Sequence, residues 1–228
     1  MKRTFFSLAL LFVLTAAHAV AAPPTTASGI PLNAPWKVTI YNLVHGNFKH
    51  PAWGWQHAER DYQVALKLAK GDGLRVDTDV LFAASFLHDM AAFPAYAGPG
   101  EHGDVAAVKS ESLLRAAGFP MKKFPRVAAA MRGHMYYSDP GNVPEAIVLH
   151  DADSLDFLGA IGEARMIALA GPSSDSAAKE VEQLQKFVKD IPPRLITKTA
   201  QKMGAERVAE LQAFLDAWER ESFQGVLP

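Results

Sequence analysis

Histidine and aspartate residues at six positions are the part of this sequence best suited to chemistry. Neutral imidazole and carboxylate groups together form the ligand sets that proteins use for Mn, Fe, Co, Ni and Zn. Such a set, spread over several helices, predicts a centre for one or two of these divalent ions and, with it, metal-dependent catalysis. The candidate ligands are His57, His88, Asp89, His102, His134 and Asp153.

The adjacent pair His88 and Asp89 is the core of this prediction. The pair ends the run VLFAASFLHDM, which is otherwise as apolar as a buried helix. Burying an imidazole or a carboxylate without a partner costs several kcal/mol, and a bound cation would satisfy both groups. A lone histidine on an apolar face is usually an ordinary core residue, so the prediction depends on the combination of residues.

Helical periodicity puts three of the histidines on inward faces of three different helices. His57 shares a face with Asp61 and Leu68, at offsets of four and eleven residues. His88 lies on the buried stripe of the most apolar helix, and His134 ends another apolar stripe. These three imidazoles therefore have the burial pattern of core residues while carrying ligand chemistry.

The chain from about residue 36 onward consists of segments with helical periodicity, separated by Gly and Pro breaks. No stretch shows sustained period-two alternation between turns, so we expect an all-α helical bundle in a single domain over residues 36–228. The predicted helices cover residues 35–48, 56–70, 77–90, 104–117, 122–134, 144–170, 174–189 and 197–222.

The first residues predict a secretory signal peptide at 1–22. Lys2 and Arg3 precede the apolar stretch FFSLALLFVLTAA, and small residues follow at AHA and VAA. An uncleaved anchor is the alternative, but the apolar run is shorter than the roughly 20 residues that a membrane span needs. We therefore expect a periplasmic or secreted protein with no membrane contact after cleavage. The Pro-rich residues 23–35 are predicted to be a mobile or extended leader.

The amino-acid composition restricts the classes of molecule that the protein can be expected to bind. The sequence contains no cysteine, so no disulfide stabilises the exported protein. Without Lys2 and Arg3 it carries 21 basic and 24 acidic residues, a net charge of −3. No basic field indicates binding to a nucleic acid duplex or an anionic membrane, so an anionic small molecule would have to be held locally.

The order of the candidate ligands resembles that of the HD-domain metal-dependent phosphohydrolase superfamily: a His, a His-Asp pair and a distant Asp on separate helices. A bare His-Asp dipeptide is a weak signal, but the similarity extends from about residue 53 to 221. Periodicity leaves Asp151 and Asp153 open as the last ligand. The family's Ala-Asp-x-Leu element matches residues 152–155 and so implies Asp153. The matching segments are QHAERDYQVALKLA, FAASFLHDM, IVLHDADSLDFLGAIGEAR and LITKTAQKMGAERVAELQAFLDAWERE.

The chain is most similar to family members with the longer set His, His-Asp, His, His, Asp, in which two further histidines complete a second metal position. The resemblance implies that Asp89 bridges the two ions. It further implies one ion held by His57, His88, Asp89 and Asp153, and a second held by Asp89, His102 and His134.

The family often places an acidic residue or a lysine shortly after the His-Asp pair, and HDMAAF offers neither. This departure favours water activated by the metal as the nucleophile over a mechanism with a nearby carboxylate acting as acid or base.

Asp89 is the first predicted catalytic residue. Lys109, seven residues after His102 and on about the same helix face, is the second, since it could pair with a phosphate. A solvated surface lysine is the alternative.

These observations predict an exported metal-dependent phosphohydrolase acting on a phosphate ester or nucleotide. Two other functions remain open. The same six ligands occur in a minority of relatives that hold two irons and oxidise C–H or C–P bonds. A non-catalytic periplasmic metal-binding or ligand-binding protein would instead close the coordination shell completely.

Overall fold

A computed structural model describes residues 23–170 and 177–224, and the α-helix is the main element throughout these ranges. The predicted all-α class is confirmed, since the described residues contain nine α-helices and no β-strand beyond an isolated bridge between Thr25 and Pro31. The predicted signal peptide lies outside the described residues. The helices are α1 (Pro35–Asn47), α2 (Trp55–Asp72), α3 (Thr78–Leu87), α4 (His102–Ala117), α5 (Phe124–Arg132), α6 (Pro144–Asp156), α7 (Gly159–Ile167), α8 (Ala177–Asp190) and α9 (Lys198–Glu221).

Helix α3 forms the centre of the core, because every residue from Val80 to Leu87 is buried. It packs against α1, α2, α5 and α6, and α2 packs in turn along α6. Asp77 caps the start of α3 by accepting hydrogen bonds from the backbone N–H groups of Asp79 and Val80. Such a cap contributes about 1 kcal/mol to helix stability. The helix that delivers the His-Asp pair is therefore fixed at its start and along its length.

Helix α3 ends at Leu87, three residues before the predicted end at 90. His88 follows as the cap, and Asp89 precedes a short 3-10 turn at Met90–Ala92.

The single helix predicted for residues 144–170 is wrong. Two helices occupy this region, because the chain turns at Gly159, whose φ is +67°. A Cβ at this glycine would meet only the movable end of the Glu210 side chain at less than 3.0 Å, so the left-handed backbone conformation is what disfavours another residue. The turn brings α7 back alongside the end of α6, so that Arg165 on α7 can contact Asp156 at the end of α6.

Residues 23–34 contain no helix, yet they pack against the helical bundle. Ile30 and Leu32 are buried, and the buried carboxylate of Glu59 accepts hydrogen bonds from the Thr26 hydroxyl and the Ser28 N–H, each 2.8 Å long. The segment predicted as a mobile or extended leader folds back on itself at the bridge between Thr25 and Pro31 and is held against α2. Among the described residues, no helix combines the length and the apolar character that crossing a bilayer requires.

Candidate metal centre

All six predicted ligands come together where helices α2 to α6 meet. His57 lies in the first turn of α2, and His88 and Asp89 follow the end of α3. His102 is the first residue of α4, and His134 comes directly after Gly133, the cap of α5. The sixth, Asp153, lies in the last turn of α6. Residues up to 96 positions apart in the sequence thus share one site.

Three of these residues, with Asp89, form what we call the inner position. The His57 Nε2 atom lies 3.2 Å from His88 Nε2 and 3.2 Å from Asp153 Oδ1. Asp89 Oδ2 lies 3.4 Å from the Nε2 atoms of both histidines. His57, His88 and Asp153 are almost completely buried.

The remaining two histidines, with Asp89, form what we call the outer position. The Nε2 atoms of His102 and His134 are 2.9 Å apart, and Asp89 Oδ1 lies 3.4 Å and 3.6 Å from them, respectively. One carboxylate oxygen of Asp89 thus faces the inner position and the other faces the outer position. This arrangement suits a carboxylate that bridges two ions.

In three of the histidines, the hydrogen bond made by Nδ1, on the side of the ring away from the site, determines whether Nε2 directs a lone pair into the site. The Nδ1 atoms of His88 and His134 lie against the carbonyl oxygens of Ser85 and Met131. A carbonyl only accepts, so in the neutral rings each Nδ1 carries the hydrogen and each Nε2 presents a lone pair. His57 has the same orientation, because its Nδ1 donates to Asp156.

Several carboxylate oxygens in the cluster are buried without a hydrogen-bond donor. Asp153 Oδ2 is one, and both oxygens of Asp61, one turn after His57 on α2, are others. When the rings are neutral and the carboxylates ionised, lone pairs on nitrogen and on carboxylate oxygen face one another, and neither can satisfy the other. Divalent cations would satisfy them all, so the residues present fit one or two ions.

Opposing influences shift the pKa values of these groups. Burial by itself would raise the pKa of Asp89, but the nearby imidazoles hold it well below its ordinary value. Burial lowers the pKa of His57, yet the carboxylates around it raise that pKa well above the usual range. For Asp61 burial dominates and raises the pKa well above its ordinary value. An ion entering the inner position would consequently displace protons.

Asp156, which sequence reasoning missed, orients the first histidine. Its carboxylate accepts hydrogen bonds from His57 Nδ1 at 2.8 Å, from Arg60 and, across the turn at Gly159, from Arg165 Nη1 at 2.9 Å. Burial would raise the pKa of Asp156, but these three donors lower it far below its ordinary value. A carboxylate behind a ligating imidazole fixes its tautomer and ring direction. The signal available in the sequence was the spacing of three residues from Asp153.

The structure separates Asp151 from Asp153. Asp151 accepts hydrogen bonds from the backbone N–H groups of Ile196 and Thr197, so it ties α6 to the start of α9. His150 lies beside it, with Nδ1 3.1 Å from Asp151 Oδ1. Asp151 therefore has a structural partner on α9, whereas Asp153 points towards His57.

Lys109, the second predicted catalytic residue, is half-buried on α4. It borders a hollow of about 360 Å³ whose lining includes Gly98, Pro99 and Val105. Within the described parts of the chain its ammonium group forms no hydrogen bond or ion pair, with the metal-ligand candidates or with other residues. Its role in catalysis stays a prediction.

The two positions differ in solvent access. The side chains of His57, His88 and Asp153 are at most 2% exposed, whereas Asp89 is 17% and His102 29% exposed. A small molecule would reach the centre from the side of Asp89 and His102.

Comparison with known proteins places this geometry in a family. Residues 54–158 match the HD domain family. A predicted HD superfamily hydrolase from an uncultured Thermotogales bacterium is 25% identical, with a TM-score of 0.58 over 80% of this chain and 90% of that one. Bacillus subtilis YpgQ, solved in complex with ADP, is 20% identical, with a TM-score of 0.61 over 81% of this chain and 97% of that one. A Lactobacillus plantarum protein is 21% identical, with a TM-score of 0.64 over 82% and 96% of the two chains. A search of curated proteins finds no significant match.

The structural likenesses to YpgQ and to the Lactobacillus plantarum protein show a shared fold. The family match goes further, because it runs from just before His57 to just after Asp153 and so contains every predicted ligand. Residues 54–158 of this chain are an HD domain.

Proposed function

We propose that this chain is a metal-dependent phosphohydrolase that acts on a phosphate ester or nucleotide with water activated by one or two divalent ions. The observation that carries the proposal is a buried cluster of inward lone pairs that is accessible to solvent only through Asp89 and His102 among its six ligands. Catalytic metal sites keep a position open for water or substrate, whereas structural sites are closed. The partial opening therefore favours an enzyme over a protein that binds metal without catalysis.

Bound divalent ions would supply a lowered pKa for water and would neutralise negative charge on a phosphoryl oxygen. The chain's own residues prepare the centre for this chemistry. Asp89 fixes the spacing of the two positions by facing each with one oxygen. Asp156 keeps the proton of His57 on Nδ1, so that the Nε2 lone pair stays directed into the cluster.

The substrate is proposed to be a small phosphorylated molecule. The mature chain has a net charge of −3, so long-range attraction would not collect anions, and the phosphate would be held by the metal centre and by Lys109. The complex of Bacillus subtilis YpgQ with ADP makes nucleotides the first substrates to test.

Export is proposed from the sequence of residues 1–22, with a periplasmic or secreted location. Mass spectrometry of the exported protein should find an N-terminus between about residues 20 and 23. Exported material that retains Met1 would contradict this part of the proposal.

The proposal is tested with the purified mature protein and a panel of phosphate esters and nucleotides. We expect phosphate release with Mn, Ni, Co, Zn or Fe, and loss of activity with a chelator. Oxygen consumption measured in the same reactions addresses the di-iron alternative. Oxygen uptake without phosphate release from any substrate would replace the phosphohydrolase with an oxygenase.

A further inference from the structure

Asp61 lies at the metal centre but belongs to neither the six predicted ligands nor the HD pattern. It follows His57 by one turn of α2 and has no exposed surface. Neither of its carboxylate oxygens has a hydrogen-bond donor within the described ranges. Burying a carboxylate completely without a partner costs free energy, so the lack of a donor to Asp61 needs an explanation.

The surroundings of Asp61 are the ligand atoms of the inner position. Asp61 Oδ2 lies 3.1 Å from His57 Nε2 and 3.6 Å from His88 Nε2. These two nitrogens present lone pairs in the neutral rings, so they donate to the carboxylate only when a ring holds a second proton, which a bound ion would displace. One ligand atom from each of Asp61, His57, His88 and Asp153 lies within 4.8 Å of all the others, which is close enough to share an ion.

Another buried carboxylate on the same helix shows the contrast. Glu59, two residues earlier, is directed away from the centre, and one of its oxygens accepts from the Thr26 hydroxyl and the Ser28 N–H. The fold thus supplies two donors to one oxygen of Glu59, although its other oxygen is buried without a donor. It supplies a donor to neither oxygen of Asp61.

We infer that Asp61 is an additional ligand of the inner position, which would then have two imidazoles and three carboxylates, from Asp61, Asp153 and the bridging Asp89. The outer position has two imidazoles and only the shared carboxylate. Carboxylate-rich sites suit Mn²⁺ and similar ions with many ligands, whereas Zn²⁺ commonly takes four. The two positions should therefore differ in the metal ion that they prefer, with Mn²⁺ favoured at the inner position. This inference rests on the metal centre of the proposed function but not on the reaction.

The test is calorimetric titration of the metal-free mature protein with Mn²⁺ and with Zn²⁺. Removing the charge in Asp61→Asn should weaken Mn²⁺ binding at one position by at least about 10-fold, and weaken Zn²⁺ binding less. The control is Glu59→Gln, which removes a buried carboxylate charge from the same helix and should leave both affinities unchanged. Unaltered Mn²⁺ affinity in the folded Asp61→Asn protein would overturn the inference.

A second measurement needs no variant. In a crystal structure of the unmodified protein loaded with Mn²⁺, an Asp61 oxygen should bind the inner ion directly. An ion bound by His57, His88 and Asp153 but not by Asp61 would overturn the inference while leaving the phosphohydrolase proposal intact. Tight Mn²⁺ binding that depends on Asp61, in a protein that hydrolyses no phosphate ester, would instead reject only the proposed function.

Discussion

The inner and outer positions share Asp89 but are supported by the fold in different ways. At the inner position, Asp156 with Arg60 and Arg165 forms a charged network behind the ring of His57. At the outer position, a backbone carbonyl holds the ring of His134, and His102 begins α4 directly after a loop. The inner position thus has buried ligands with charged support, whereas the outer position includes a partly exposed ligand at a helix start.

This difference indicates that the two positions have different roles in binding metal and substrate. Rigid, buried ligands with charged support behind them bind an ion tightly, while a partly exposed ligand at a helix start leaves room for water and substrate. We therefore expect the outer ion to exchange faster and the inner ion to stay bound.

The largest effect is expected from Asp89→Ala. The substitution removes the one carboxylate that faces both positions, so it should abolish phosphate release, with a loss of about 1,000-fold or more in turnover. Steady-state kinetics with the best substrate measures the effect, and Glu59→Gln serves as the control. Full activity in folded Asp89→Ala protein would refute the assigned site.

His102→Ala and His134→Ala should affect the outer position selectively. Each removes an imidazole from that position while His57, His88 and Asp153 remain, so turnover should fall by about 100-fold. The two variants should resemble each other in kinetics. A near-normal rate in both would show that the outer position does not take part in the reaction.

Asp156→Asn should affect the inner position selectively. The neutral amide weakens the hydrogen bond that orients His57 and leaves Arg165 without its buried ionic partner. The metal affinity of the inner position should therefore fall about 10-fold to 100-fold. Calorimetry on the metal-free variant gives the affinity of each position. If the weakened ion proved to be the outer one, the division into a rigid inner and an open outer position would be wrong.

Lys109→Ala should have the smallest effect. A lysine that pairs with substrate phosphate contributes to binding but not to the metal centre, so KM should rise about 10-fold with metal content and melting temperature unchanged. Lys122→Ala, a lysine on the exposed turn before α5, is a suitable control. An unchanged KM would mean that Lys109 is a solvated surface residue.

Much of the fold and the centre could be predicted from local pattern and from the family resemblance. The apolar run that ends in His88 and Asp89 indicated both a buried helix and a polar pair that needs a partner. The break at Gly159 was missed, because its cause is a left-handed backbone conformation that the helical periodicity does not reveal.

Asp61 and Asp156 show the same limit at the site. Periodicity placed Asp61 on the face of His57, but only the assembled structure shows that both its oxygens lack donors. Asp156 orients His57 and is itself held by Arg165, which reaches it across the turn at Gly159. Ligand types can be identified along the sequence, whereas the residues that orient them depend on contacts between distant elements.

The central claim is that two positions share Asp89, and metal stoichiometry tests it most directly. Elemental analysis of the metal-loaded mature protein should give about two ions per chain, in line with a two-metal hydrolytic centre. His102→Ala and His134→Ala should each reduce this to about one, because the inner ligands remain. One ion per chain in the unmodified protein, with the same value in both variants, would contradict the two-position centre and leave a single-metal HD site.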